Sequence, residues 1–335
     1  MKYVVAVDVG ATNLRVGTYC VDGRLIKSVS VRTPGSGGPD TIAECIYDLA
    51  SRLISELGLN QHQLAGVGVG SIGPLDIRRG EVVNTPNLGI RSFRLRKPLT
   101  EFFKTEHVLV VNDCVAGVWG EKVFGYGVNI DNLVYITLSS GVGGGVVVDG
   151  DLLIGKDGNA HEVGHIVVRY DGFRCGCGGL GHWEAYASGS GIPRYVKYYV
   201  ENIATSRKTK LTEFVRESLI TPELFFKLVR EGDKVAVEIY NELCRVNAAG
   251  FASVINVYDP ELVVVGGSLA LANYDLIIQP LHDLLTNYVV NRLPKILPTQ
   301  FGGEAVLKGA AALVIRPPKK LLRIYGLTTN LFTDS

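Results

Sequence analysis

Val4-Val5-Ala6-Val7-Asp8-Val9-Gly10-Ala11-Thr12-Asn13-Leu14-Arg15-Val16-Gly17 is echoed later by Val134-Tyr135-Ile136-Thr137-Leu138-Ser139-Ser140-Gly141-Val142-Gly143-Gly144-Gly145-Val146-Val147-Val148. Each stretch reads as an apolar β run, a turn rich in glycine and hydroxyl groups, and a second β run. One such unit in each half implies a duplicated domain with a cleft between the copies. Either turn alone reads as an ordinary Gly-rich hairpin. As a pair, their backbone N–H groups suit the gripping of phosphates from two sides.

Working outward, Leu25 to Arg32 follows the turn Val21-Asp22-Gly23 as a third strand. Asp40 to Leu57 then places Ile42, Ile46, Leu49, Leu53, Ile54 and Leu57 at helical spacing, with Asp40 or Thr41 as cap and Gly58 as stop. Strands are expected at Leu64 to Val69 and Val108 to Val111, the second leading into a helix from Val115 to Phe124. Three strands followed by alternating helices and strands predict an α/β protein with mixed sheets covered by helices.

The chain has 335 residues, 47% of them hydrophobic and 20% charged, which suits two globular domains. Its net charge of +1 gives no field to attract nucleic acid, and Arg316, Lys319, Lys320 and Arg323 read as a solvated basic tail. The apolar start meets Asp8 too early for a signal peptide. The run Glu261 to Ala272 is far short of the roughly 20 residues of a membrane span. A cytoplasmic protein without membrane or nucleic-acid partners is expected. The six cysteines, Cys20, Cys45, Cys114, Cys175, Cys177 and Cys244, are not spaced as a disulfide framework.

The densest chemistry lies between Glu162 and Ala185. Glu162-Val163-Gly164-His165 is followed by Cys175-Gly176-Cys177-Gly178 and by Gly181-His182-Trp183-Glu184-Ala185. Two imidazoles and two thiols can supply the four donors of tetrahedral zinc, and the glycines let the backbone wrap closely. The residues equally describe a Gly-rich surface turn with two free thiols. Two other spellings carry no chemistry. Gly150 to Asp157 approximates a P-loop but ends in Asp157 where Ser or Thr should hold magnesium, and Gly176 to Gly181 spells G-x-G-x-x-G without the strand and helix that motif needs.

Two further sites have double readings. Asp113, in Val110-Val111-Asn112-Asp113-Cys114, stands at a strand end, where it is a helix cap or a general base for a hydroxyl nucleophile. Leu262-Val263-Val264-Val265-Gly266-Gly267-Ser268 is a buried strand running into either a tight turn or a close backbone approach to a nucleotide.

Taken in order, these elements resemble the ROK family of sugar kinases (repressor, open reading frame, kinase), in its glucokinase and hexokinase branch. The set is Asp8 to Arg15, Gly70 to Asp76 with Asn84-Thr85-Pro86-Asn87-Leu88, Asn112-Asp113, Thr137 to Gly145, the Glu162 to Glu184 cluster, Gly232-Asp233 and Pro260 to Ser268. The resemblance covers nearly the whole chain and implies a two-lobed, actin-like (ribonuclease-H-like) ATPase fold with central mixed sheets and an interlobe cleft. A small lobe of residues 1–113 and 304–335, to which the helix Glu304 to Ile315 returns, would join a large lobe of residues 114–303.

The implied chemistry is ATP-dependent phosphorylation of a hexose 6-hydroxyl. Glucose is the foremost substrate, and an N-acetylmannosamine kinase or fructokinase is the alternative. Carried over by residue, Asp113 takes the hydroxyl proton, and Gly73, Asn112, Gly141, Glu162, His165 and Glu184 line the sugar pocket. Asp8, Gly10, Thr12 and Asn13 serve phosphate and Mg²⁺. Ser139, Ser140, Gly141 and Gly143 also contact phosphate, and Gly266, Gly267 and Ser268 approach the nucleotide. A structural Zn²⁺ is held by His165, Cys175, Cys177 and His182.

Two positions depart from the family pattern: His182 stands where a third cysteine is usual, and Ser139-Ser140 where Gly-Thr is frequent. Both keep donor chemistry. A repressor of the same family would carry a DNA-binding module ahead of Asp8, where no room is left; relatives are commonly dimers or tetramers, so a homo-oligomer is expected.

Overall fold

The computed structural model describes residues 2–86 and 88–328. Asn87 of the Asn84–Leu88 motif and residues 329–335 of the expected small lobe lie outside the described residues. Along the chain run β1 (Tyr3–Val9), β2 (Asn13–Cys20), β3 (Leu25–Arg32), α1 (Thr41–Glu56), β4 (Leu64–Ser71), β5 (Leu75–Asp76), β6 (Glu81–Val82), β7 (Phe93–Arg94), α2 (Arg96–Phe103), β8 (Val108–Asn112) and α3 (Asp113–Phe124). Next come β9 (Leu133–Leu138), β10 (Val142–Val148), β11 (Asp151–Leu152), α4 (Glu184–Ala187), α5 (Gly191–Asn202), α6 (Lys210–Arg216), α7 (Pro222–Arg230) and α8 (Lys234–Tyr258). The chain ends with β12 (Leu262–Gly266), α9 (Ser268–Ala272), α10 (Tyr274–Ile277), α11 (Leu281–Leu284), β13 (Lys295–Pro298), α12 (Ala305–Ile315) and α13 (Lys319–Tyr325). One sheet has the order β3-β2-β1-β4-β8 and another the order β11-β10-β9-β12-β13.

Two compact units emerge. The first holds residues 1–135, 145–161 and 299–335, and the second residues 136–144 and 162–298. In the first unit, β1 pairs antiparallel with β2 and parallel with β4, and β4 pairs parallel with β8. All of β1 and β8 is buried, as expected of strands covered on both faces. The period of two then sorts β1: Tyr3, Val5, Val7 and Val9 join the core with α1, whereas Val4 and Ala6 pack with Leu307, Ala310, Ala311 and Val314 of α12. The edge strand β3 mixes partly buried and exposed residues, alternating from Val29 to Arg32.

Strand β4 shows why its sequence reads Leu64-Ala65-Gly66-Val67-Gly68-Val69-Gly70. The valines enter the α1 core, and the glycines let α12 lie almost on the strand, since a Cβ on Gly68 would fall 1.8 Å from the Ala310 carbonyl oxygen. We expect Gly68→Ala to cost about 2 kcal/mol or more, the upper part of the range for overpacking a filled interior. Urea unfolding with an unchanged m-value and an unchanged midpoint would contradict that close approach.

The first unit is larger than the segment 1–113 with 304–335. Helix α3 does not leave it, because α3 crosses α12 through glycines: a Cβ on Gly120 would lie 2.9 Å from Gly309 Cα, and one on Gly309 would lie 1.8 Å from the Ala116 carbonyl oxygen. Contact this close requires bare backbone on both helices. Arg316, Lys319, Lys320 and Arg323 do not form a solvated tail either. The last three sit on α13, whose Leu321 and Leu322 are buried and whose Tyr325 hydroxyl donates to the Val110 carbonyl at 3.2 Å.

Helix α1 begins at its expected place, but Asp40 makes no side-chain cap; its carboxylate accepts from Arg94 Nε at 2.8 Å instead. Helix α3 starts two residues earlier than Val115, and its cap is Asn112 rather than Asp113. Among the described residues no helix is long and apolar enough to cross a membrane.

Candidate active site

In the first unit, parallel pairing places the ends of three strands side by side: Asp8 of β1 lies opposite Gly70 of β4, which lies opposite Val111 of β8. Ligands in open α/β sheets gather at such carboxyl ends. The β1–β2 turn is tied by Gly10 N–H to the Asn13 carbonyl at 2.9 Å, and Thr33 braces it by donating its hydroxyl to the Gly10 carbonyl at 2.7 Å. Thr12 and Asn13 are left exposed at its tip.

Asp8 is buried, and burial pushes its carboxyl up to about 7; the Asp113 charge adds to the rise and Arg15 opposes it. Arg15 Nε lies 3.6 Å from Asp8 Oδ2, and its guanidinium also donates to the Gly303 carbonyl. With Asp113 as a second nearby carboxylate, a bound cation would favour the ionised form of Asp8.

Asn112 closes β8, and its Oδ1 accepts the Cys114 N–H at 2.8 Å; Asp113 Oδ1 lies equally close to that N–H. The first turn of a helix suits a carboxylate. A Cβ on Gly73 would lie 3.5 Å from Asn112 Nδ2, so the Gly73 backbone and the Asn112 amide adjoin.

In the second unit, the turn after β9 is held by Ser139 N–H donating to the Gly141 carbonyl at 2.9 Å. Gly189 N–H and Ser190 N–H in turn donate to the carbonyls of Ser139 and Ser140. Ser139 Oγ is 3.2 Å from Ser268 Oγ. Gly267, at φ +90, follows β12, and a Cβ there would strike the Leu138 carbonyl oxygen at 2.2 Å. Ser139, Ser140 and Gly141 therefore meet Gly266, Gly267 and Ser268 around one hydroxyl-rich turn. Gly143 lies on β10 just beyond it.

Glu184 joins this turn to the cysteine-rich segment. Its Oε2 accepts Val142 N–H at 2.9 Å and would lie 2.7 Å from a Cβ on Gly141, while its Oε1 is 3.9 Å from Cys175 Sγ. Glu162 is exposed, with Oε2 3.7 Å from His165 Nε2, and the 3₁₀ turn Val163–His165 between them lies against β10 at Gly164.

Ligand atoms of His165, Cys175, Cys177 and His182 all lie within 4.8 Å of one another. Cys177 Sγ is 3.2 Å from His182 Nδ1, and His165 Nδ1 is buried without a hydrogen-bond partner. None of the six cysteines is in a disulfide. Burial pushes the Cys175 thiol up to about 11, and burial and the neighbouring His165 lower His182, so both side chains stand neutral here. That donor set and the orphaned imidazole nitrogen fit a tetrahedral zinc ion.

The sequence reading did not find Arg15 as the partner of Asp8, nor Asn159, whose side chain grips Leu75. Arg15 lies inside a quoted motif, where its alternation with Asp8 on paired strands was a usable signal. Asn159 had none.

The ROK family pattern matches residues 4–317. The glucokinase of Pyrobaculum calidifontis is 41% identical over 96% of this chain and 97% of its own length. Among solved structures, the ROK hexokinase of Thermus thermophilus is similar with a TM-score of 0.76 and 32% identity, covering 92% of this chain and 97% of that one. A ROK family glucokinase from Streptomyces griseus, in complex with glucose and AMPPNP, is similar with a TM-score of 0.72 and 32% identity over 93% and 98%. With its matched pattern spanning both compact units, the chain belongs to the ROK family.

Proposed function

We propose that the protein is an ATP-dependent glucokinase that phosphorylates the 6-hydroxyl of glucose and, less efficiently, other unmodified hexoses. The observation that carries this reading is Asp113, a carboxylate at the start of α3 directly after the carboxyl end of β8, beside Asn112 and near enough to the buried Asp8 to raise it. The extended likeness to a glucokinase at 41% identity supports it.

In the mechanism, Asn112 and the Gly73 backbone hold the sugar, as do Glu162, His165, Glu184 and Gly141. Asp113 accepts the proton from the 6-hydroxyl as that oxygen forms its bond to the γ-phosphorus of ATP; the bond from γ-phosphorus to the bridging oxygen breaks, and ADP leaves with the electron pair. The turns Gly10 to Asn13 and Ser139 to Gly143 bind phosphate oxygens through those backbone N–H groups that are not spent on holding the turns themselves, as those of Gly10, Ser139 and Val142 are, with Gly266, Gly267 and Ser268 near the nucleotide. Asp8 would help to hold Mg²⁺, which would supply neutralisation of phosphate charge. His165, Cys175, Cys177 and His182 would hold a structural Zn²⁺, which would fix the segment that carries His165 and ends at Glu184. The enzyme works in carbohydrate metabolism in the cytoplasm, as a homo-oligomer, with no nucleic-acid or membrane partner.

Glucose is favoured over N-acetylated sugars because two carboxylates and an imidazole match several free hydroxyls, and a site built for them rejects an analogue that leaves buried polar groups unmatched. Pro74 has no side-chain donor for an acetamide. A coupled assay across glucose, mannose, fructose, N-acetylglucosamine and N-acetylmannosamine is expected to give glucose the highest kcat/KM. An N-acetylated sugar exceeding glucose tenfold would overturn the substrate and leave the kinase standing.

A further inference from the structure

We infer that Asn159 is a positioning residue for the hexose, gripping Leu75 by both backbone groups and thereby fixing Gly73 and Pro74 beside the Asn112 amide. This deepens the glucokinase reading and rests on it.

Asn159 Oδ1 accepts the Leu75 N–H at 3.0 Å, and Asn159 Nδ2 donates to the Leu75 carbonyl at 2.9 Å. The two bonds fix the amide's orientation, since a flipped carboxamide would set donor against donor and acceptor against acceptor. On β5 the opposite edge is taken by β6, with Leu75 opposite Val82 and Val83 N–H donating to the Pro74 carbonyl at 2.8 Å. A single side chain therefore does the work of a neighbouring strand on the remaining edge.

The loop that carries Asn159 is itself anchored. The Asp157 carbonyl accepts Ile77 N–H at 3.0 Å, and the buried His161 ring sets Nε2 2.8 Å from the Gly158 carbonyl. Gly158 has φ +94, and a Cβ there would press on Ile77 Cβ at 2.9 Å. The carboxamide is thus held from behind while it holds Leu75.

A Cβ on Gly73 would lie 3.5 Å from Asn112 Nδ2 and 3.8 Å from Asn159 Oδ1, so all three residues adjoin. Asn112 Oδ1 is committed to Cys114 N–H, which turns Nδ2 toward Gly73. Without the Asn159 grip, the Leu75 side chain stays anchored in the α1 core while the backbone at Gly73 and Pro74 can shift against Asn112. A shift of about 1 Å in such a segment is enough to spoil the hydrogen-bond geometry it offers to a bound sugar.

The test compares the full-length wild type with Asn159→Ala and Asn159→Asp in steady-state assays with glucose and ATP, and in calorimetric titration with glucose alone. Asn159→Ala is expected to raise glucose KM and Kd about tenfold, with ATP KM unchanged and kcat within about twofold. Asn159→Asp keeps the acceptor for Leu75 N–H and loses the donor, so its glucose KM should fall between the two. A purely structural role would lower the active fraction and leave glucose KM and Kd at wild-type values, which would overturn the inference. Should Asn159→Ala not fold, Asn159→Asp with wild-type glucose KM would overturn it equally. Absence of hexose turnover by the wild type would sink the glucokinase reading and this inference together, whereas turnover with unchanged KM in the variants sinks the inference alone.

Discussion

Asp113→Asn should keep the fold and glucose binding while lowering kcat by on the order of 10²- to 10⁴-fold, the usual range for loss of a general base. The amide preserves the size of the side chain and can still present an oxygen toward Cys114 N–H, which Asp113 Oδ1 approaches at 2.8 Å. What it loses is the capacity to take a proton. Because Asn112, not Asp113, caps α3, the substitution leaves the cap of that helix in place. Burial is the main cause that raises Asp8 and is unchanged in the variant, but the lesser contribution of the Asp113 charge is removed, so Asp8 should ionise somewhat more readily, an effect opposite in sign to any loss of magnesium binding. Near-normal turnover with an unchanged glucose Kd would remove Asp113 from the mechanism.

The parts legible in the sequence were those whose cause is local. Strand β1 shows itself as a continuous apolar run because both its faces are covered, and α1 as a 3.6-residue periodicity because only one of its faces is. The donors His165, Cys175, Cys177 and His182 are close in sequence, so their proximity in space follows with little help from the fold.

What could not be read depends on partners far along the chain. The retention of α3 in the first unit rests on Gly120 meeting Gly309, and each glycine alone is compatible with a loose turn or a weak helix. Asp40 looked like a cap because its type and position suit one, yet Arg94, 54 residues away, competes successfully for its carboxylate. Asn159 and Leu75 are 84 residues apart, and neither carries a pattern that names the other. The basic residues near the end hid α13 because they form its exposed face, while only Leu321, Leu322 and Tyr325 report the buried one.

Metal analysis of carefully purified protein is expected to give one zinc per chain. Removing it should loosen residues 165–182 and raise glucose KM more than ATP KM. Four donor residues converge within 4.8 Å, and without a cation this arrangement is unfavourable: a buried Cys175 thiol stays protonated, and His165 Nδ1 is buried with no partner. A zinc ion resolves both problems, because it holds thiolate in place of thiol and accepts an imidazole lone pair. Binding of this kind contributes on the order of 10 kcal/mol to local folding. The turn around it is also tied by backbone bonds, such as Cys175 N–H to the Gly179 carbonyl at 2.8 Å, so removing zinc should loosen it rather than unfold it. The consequence reaches the proposed sugar-binding residues through named atoms: His165 lies in the cluster and beside Glu162, and Glu184 spans from Cys175 to Val142. Cys177→Ser should reproduce the effect of chelation, and added zinc should restore the chelated wild type but not the variant. Zinc-free protein with full activity and unchanged glucose KM would show that the donors form only a glycine-rich turn with free thiols.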